Sequence, residues 1–157
     1  MARPNVGDDA PAFDLPTDTG APVNLAGLRG APVVLYFYPK DDTSGCTSEA
    51  QAFTALADEF KTTGAVVVGV SRDTVASHGK FRKKYGLKVE LGSDEGGAVT
   101  DAYGVWVEKS MYGRKYMGIE RATFLISPEG KIVRTWPKVK VPGHAQEVLA
   151  AVKALKA

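Results

Sequence analysis

The sequence predicts an α/β domain with a central mixed sheet, helices on both faces, and a short N-terminal extension. Three observations carry this. Two continuous apolar runs, Val33 to Tyr38 and Ala65 to Val70, read as strands buried on both faces, the mark of a parallel or mixed sheet under helices. Each run is followed by apolar residues at helical spacing. Near the C-terminus two β-rich segments meet at a turn and lead into an amphipathic helix.

Ala31-Pro32 opens the first strand, and Pro39 ends it because proline has no N–H for the ladder. Ala50, Phe53, Leu56 and Phe60 then share one helical face, and Gly64 closes the helix at a C′ position. After the second strand, Asp73 or Thr74 can cap a helix carrying Val75, Phe81 and Tyr85 before Gly86. Val89 to Leu91 reads as a short strand and Ala98 to Tyr103 as a short helix. A long connection carrying Trp106, Tyr112 and Tyr116 leads to Arg121; these aromatics either line a pocket wall or anchor the connection to the core. Ala122 to Ile126 and Lys131 to Trp136 form a hairpin over Ser127-Pro128-Glu129-Gly130, with proline and glycine where a type I turn wants them. Val148, Leu149, Val152 and Leu155 give the last helix its core face. Parallel strands, then a hairpin and a closing helix, describe the thioredoxin-like arrangement.

At 157 residues, without repeats or a linker-like stretch, the expectation is one domain over 1–157. A net charge of +2 is too small to imply a nucleic-acid partner, and the basic stretch Lys80 to Lys88 and Arg114–Lys115 read as solvated surface. The start, MARPNVGDDA, lacks an apolar stretch behind Arg3, and no apolar run is long enough to span a membrane; a cytoplasmic location is expected. The single cysteine excludes an internal disulfide framework. His78 and His144 are isolated and read as surface or capping residues. With no Cys/His cluster and no glycine-rich phosphate loop after a strand, no metal, flavin or nucleotide cofactor is expected.

Cys46 is the residue that suggests chemistry. A lone cysteine is often an inert apolar core residue. This one lies among Gly45, Thr47 and Ser48, where the first strand has ended and the first helix begins. The exposed N–H groups and positive end of a helix favour thiolate over thiol, and the thiolate is the nucleophile.

Pro39, Thr43 and Cys46 fall in the pattern PxxxTxxC, which resembles the active-site motif of the peroxiredoxins. The longer stretch YFYPKDDTSGCTSEA is similar to the branch called bacterioferritin comigratory protein or PrxQ. So are SHGKFRKKYGL, YGVWVEKSMYGRKYMGIERATFLI and KVKVPGHAQEVL, so that the likeness covers nearly the whole chain. The resemblance implies a thioredoxin-like fold, a peroxidatic role for Cys46, and Pro39, Thr43 and Arg121 as its companions. A threonine hydroxyl can hold a peroxide oxygen while contacting sulfur, and can also cap a helix. A proline ring can shield the nascent sulfenate from water, or simply end a strand. A guanidinium, charged at any working pH, can favour the thiolate and the charge developing on the leaving oxygen; otherwise Arg121 is a surface residue opening a strand. The resemblance also suggests that Glu49 orients this arginine, although an acidic residue in a first helical turn is favourable in its own right.

The sequence departs from the branch in one respect. Many members carry a resolving cysteine five residues after the first, where this chain has Gln51, and others carry it in the next helix. With no second cysteine, a sulfenic acid at Cys46 needs an external thiol: thioredoxin, glutathione with glutaredoxin, or another small thiol. The expected activity is thus a thiol-dependent peroxidase acting on hydrogen peroxide and small organic hydroperoxides, in a monomer or weak dimer. A thiol-disulfide oxidoreductase would want Cys-x-x-Cys, but position 49 is Glu; cysteine acyl transfer would want a nearby base. A non-catalytic redox sensor is the other reading of a lone reactive cysteine.

Overall fold

The computed structural model describes residues 3–156. In chain order the elements are β1 (Asp14–Leu15), β2 (Val23–Asn24), β3 (Val33–Phe37), α1 (Ser44–Ala55), α2 (Ala57–Thr62), β4 (Val66–Ser71), α3 (Val75–Tyr85) and β5 (Glu90–Ser93). Then come α4 (Ala98–Ala102), β6 (Trp106–Met111), β7 (Arg114–Ile119), β8 (Ala122–Ile126), β9 (Ile132–Trp136) and α5 (His144–Lys156). The main sheet runs β5-β4-β3-β8-β9. β3 and β4 pair parallel, as do β4 and β5, whereas β8 runs antiparallel to both β3 and β9. This is the thioredoxin-like fold, with a mixed sheet.

Every residue of β3 is buried, because both of its faces are covered. Val34, Tyr36 and Tyr38 face Ala50 and Phe53 of α1, Phe60 of α2, Phe81 of α3 and Val148 and Val152 of α5. Val33, Leu35 and Phe37 face Val99 of α4, Tyr103, Phe124 and the N-terminal residues Phe13 and Leu15. Phe53 stacks on Tyr36 with ring centroids 4.8 Å apart, and its fully buried ring anchors α1 to the sheet. Removing such a ring costs about 3–5 kcal/mol, so α1 is held firmly where it presents its first turn.

Four features depart from the sequence reading. The helix drawn through Ala50, Phe53, Leu56 and Phe60 is broken at Leu56 (φ −100°, ψ 9°), separating α1 from α2. The apolar spacing continues across the break, with Phe53 and Phe60 in one cluster, so the pattern does not betray it. The long connection before Arg121 is an antiparallel hairpin, β6–β7, turning at Tyr112 (φ 52°) and Gly113 (φ 79°). Two successive positive φ angles make the tight turn that suits a two-residue hairpin loop. The N-terminal extension pairs β1 with β2 and ties to the β8–β9 turn through Ala10 N–H to Gly130 O. The short strand expected at Val89 to Leu91 runs instead over Glu90–Ser93.

The hairpin at 127–130 agrees with its turn chemistry, since Gly130 N–H donates to Ser127 O at 2.9 Å. Thr74 caps α3, accepting from Ser77 N–H, and Gly86 ends it in the left-handed region.

Candidate active site

The loop from Pro39 to Thr43 joins β3 to α1, and α3 grips it at two successive residues. The Asp41 carboxylate is buried and accepts from Tyr38 Oη at 2.6 Å, Ser77 Oγ at 2.7 Å and His78 Nδ1 at 2.7 Å. The Asp41 N–H donates to Asp73 Oδ2 at 2.8 Å. Asp42 follows in the left-handed region (φ 59°), and its carboxylate receives Lys84 Nζ at 2.8 Å and Tyr85 Oη at 2.6 Å. Thr43 occupies the N-cap position, with its hydroxyl donating to Lys40 O at 2.8 Å rather than capping the helix.

The first intrahelical bond of α1 runs from Thr47 N–H to Thr43 O, so the amides of Ser44, Gly45 and Cys46 precede it. Cys46 is in this first turn and only 1% exposed. Arg121 stands one residue before β8, beside the end of β3, because Phe37 pairs with Ala122. Its Nη2 donates to Cys46 Sγ at 3.3 Å and its Nη1 to Glu49 Oε1 at 2.6 Å. Gly45 permits this approach: a Cβ there would lie 3.0 Å from Arg121 Nη2. In the sequence Gly45 is only a neighbour of Cys46; packing shows what its missing side chain admits.

Glu49 is buried, and burial pushes its carboxyl up to about 7 against the pull of Arg121. One carboxylate oxygen is held by Arg121, and Oε2 has no partner among the described residues. Burial works against the Arg121 charge, but Glu49 and Cys46 more than offset it and raise its affinity for the proton. The guanidinium thus joins a sulfur and a carboxylate that are both buried, where a donor aimed at negative charge is worth more than in water.

Both histidines differ from the sequence reading. His78 is fully buried, with Nδ1 on Asp41 and Nε2 3.1 Å from Gly92 O. Two acceptors require two N–H groups, so the ring is an imidazolium. Burial opposes that charge, but the hydrogen bond and charge of Asp41 dominate and hold its pKa above the usual histidine value. His144 is also buried, 2.8 Å from Thr123 Oγ1 and edge-on to Phe53 and Trp136. Burial pushes it down to about 4, so it is neutral. Sequence separation hides both environments, since position 78 meets position 41 only through the fold. Asp41, Asp73 and His78 bring three potential ligand atoms within 4.8 Å. His78 donates to Asp41, and both carboxylates already receive N–H or O–H bonds, which describes a hydrogen-bonded clamp rather than a metal cage.

Pro39 borders a pocket whose wall includes Trp106 and Tyr116 but neither Cys46 nor Arg121; Trp106 also packs against the core, the other task considered for these aromatics. Tyr112 is fully exposed in the β6–β7 turn and does neither of the tasks considered for it.

Residues 6–135 match the AhpC/TSA family. The chain belongs to that family. Its curated relatives include a putative peroxiredoxin Bcp from Coxiella burnetii, 51% identical over 144 residues, covering 92% of this chain and 95% of that one. Peroxiredoxin Bcp from Xanthomonas campestris is 51% identical over 147 residues, covering 92% of each. Among solved structures, a PrxQ mutant from Xylella fastidiosa aligns over 100% of both chains with a TM-score of 0.93 and 40% identity. The bacterioferritin comigratory protein of X. campestris, studied for alkyl peroxide reduction, aligns over 90% of both chains with a TM-score of 0.86 and 49% identity. This AhpC/TSA protein is therefore a peroxiredoxin of the Bcp/PrxQ branch, a thiol-dependent peroxidase, and its single cysteine fits a 1-Cys type.

Proposed function

We propose that Cys46 is the peroxidatic nucleophile of a single catalytic domain over 1–157, with Arg121, Thr43, Pro39 and Glu49 as its active-site companions. The observation that carries this is the Arg121 guanidinium, bonded at once to Cys46 Sγ and Glu49 Oε1. The Cys46 thiolate attacks the terminal oxygen of a hydroperoxide, the O–O bond breaks, and the leaving oxygen takes a proton to become water or an alcohol. Cys46 is left as a sulfenic acid. Arg121 stabilises charge on sulfur and then on the leaving oxygen, while Glu49 holds its orientation. Thr43 orients the peroxide once its hydroxyl turns from Lys40 O, and Pro39 shields the sulfenate.

Hydrogen peroxide and small organic hydroperoxides are the substrates, and an external thiol, either thioredoxin or glutathione with glutaredoxin, returns Cys46 to the thiolate. No step requires a metal or cofactor. The protein acts as a monomer or weak dimer in the cytoplasm; among the described residues no helix is long and apolar enough to cross a membrane.

Stopped-flow tryptophan fluorescence of the reduced protein mixed with hydrogen peroxide tests the reading, with Trp106 and Trp136 as reporters and mass spectrometry counting added oxygen. Second-order oxidation far faster than a free thiol, abolished in Cys46→Ser, is the expected result. Oxidation at the rate of a free thiol would overturn it in favour of a passive redox sensor.

A further inference from the structure

Between Pro39–Lys40 and the β6–β7 hairpin lies an open pocket of about 360 Å³. Trp106, Met117 and Ile119 give it apolar wall, and Lys40, Arg72 and Lys109 give it positive charge. Arg72 is already engaged, bonded to Thr100 and Asp101 and lying over the Trp106 ring at 3.5 Å. Asp73 is the one acid on the wall, and its carboxylate accepts from Ser71 Oγ and the Asp41 N–H.

Lys109 is different. It is half-buried on β6, and its ammonium has no hydrogen bond or ion pair among the described residues. Its stem lies across Gly118, where a Cβ would come within 3.2 Å of Lys109 Cδ and 3.4 Å of Cε. The missing side chain on β7 is what lets the stem cross the hairpin. Burial and the nearby charge of Arg121 hold Lys109 below the ordinary lysine range, with Cys46 and Glu120 pulling the other way. Glu120 does not neutralise it directly, since that carboxylate is bonded to Arg3 at 2.7 Å. A partly desolvated cation in the field of a second one is unfavourable until an anion arrives.

We propose that this pocket binds the reducing co-substrate, a small thiol carrying a carboxylate, with Lys109 as the residue that holds the carboxylate and Lys40 supporting it. The proposal rests on the peroxidase reading above. With no second cysteine in the chain, every turnover needs an outside sulfur to reach Cys46, and this pocket neighbours it: Pro39 and Lys40 on its wall open the loop that leads to Cys46, whose charge acts on Lys109. A small thiol has room in the pocket, whose size is within the range of ligand sites. Its thiolate attacks the Cys46 sulfenic sulfur, the S–O bond breaks, hydroxide leaves and is protonated to water, and a mixed disulfide forms. A second thiolate of the same class attacks the outer sulfur, releasing the small disulfide and the Cys46 thiolate.

The test separates the two half-reactions. The reduced protein is first oxidised with one equivalent of hydrogen peroxide, and a slow step here would fail the peroxidase reading itself. The sulfenate is then mixed with 3-mercaptopropionate or its methyl ester, with rates expressed per thiolate. The acid is expected to react about tenfold faster, the scale of one charge-assisted hydrogen bond, and to lose that advantage in high salt. Lys109→Met should bring the pair to parity, Lys109→Glu should favour the ester, Lys109→Arg should keep the preference, and Gly118→Val should weaken it by displacing the stem. Parity in the unmodified protein, or a preference that survives Lys109→Met, would overturn the proposal. So would a charge preference confined to the peroxide step, seen with a carboxylated against a neutral hydroperoxide.

Discussion

Gly45 and Arg121 share a space that only one of them can fill: a Cβ on the glycine would sit 3.0 Å from the guanidinium Nη2 that bonds the Cys46 sulfur. Gly45→Ala therefore sets helix propensity against catalysis. Alanine favours the helix by up to about 1 kcal/mol, so the melting temperature is expected to hold or rise. The rate of Cys46 oxidation by peroxide is expected to fall about tenfold to a hundredfold, as for a misplaced catalytic group. Thermal melts and stopped-flow traces on the same preparation check both signs.

Arg121→Met removes the donor altogether, and a loss of about 10²–10³ in the peroxide step is expected, the scale of deleting one preorganised donor. The same traces read it, and Arg121→Lys should recover only part, since one ammonium cannot bridge Sγ and Oε1 as the guanidinium fork does.

Glu49 gives a pH signature. Its carboxyl titrates near 7 in the native state, above its unfolded value of 4.5. The native state thus binds the extra proton between these values, and this group's contribution to stability is present below the lower value and lost as pH rises through the upper one. Glu49→Gln is expected to flatten that part of the stability profile in denaturant titrations from pH 4 to 8. In the unmodified protein the peroxide rate should rise with pH through the same region as the ionised Glu49 tightens on Arg121, and this inflection should vanish in Glu49→Gln.

His78 behaves similarly for a different reason. Asp41 holds its proton above the ordinary histidine value, so its stabilisation is complete below about 6.5 and lost as pH rises through its native pKa. His78→Gln leaves Asp41 buried without its cation, at an expected cost of about 3–5 kcal/mol by chemical denaturation. The ring's nitrogen shifts in NMR should report both N–H groups at a pH below the ordinary histidine value and keep them to a higher pH than a free histidine does.

An unresolved sulfenate has time to meet a second peroxide. Mass spectrometry after graded hydrogen peroxide is expected to show sulfinic acid at Cys46 at low excess when no thiol is present. A sulfenate that persists unchanged in large excess would contradict this.

Much of the frame was legible in residue order because β3 and β4 are buried and read as continuous apolar runs, while β8 and β9 read as β-rich segments around a turn. Cys46 stood out by its place between strand and helix, and the resemblance brought in Arg121 and Glu49, which the fold joins to it. The β6–β7 hairpin was hidden because its strands are largely exposed on both faces and show no alternation, although Tyr112-Gly113 held a turn signal. The histidines were hidden because burial depends on partners distant in sequence: Asp41 for His78, and Thr123 and Phe53 for His144.

The hold of α3 on Asp41 and Asp42 has a last consequence. The sheet carries the fold, but a helix on one face, with Tyr38 and Asp73 beside it, sets the loop that shapes the reactive turn. Warming that loosens α3 would spoil the alignment of peroxide and sulfur while the strands remained paired. Loss of turnover and loss of structure are then two separate temperatures for this molecule, with the first below the second.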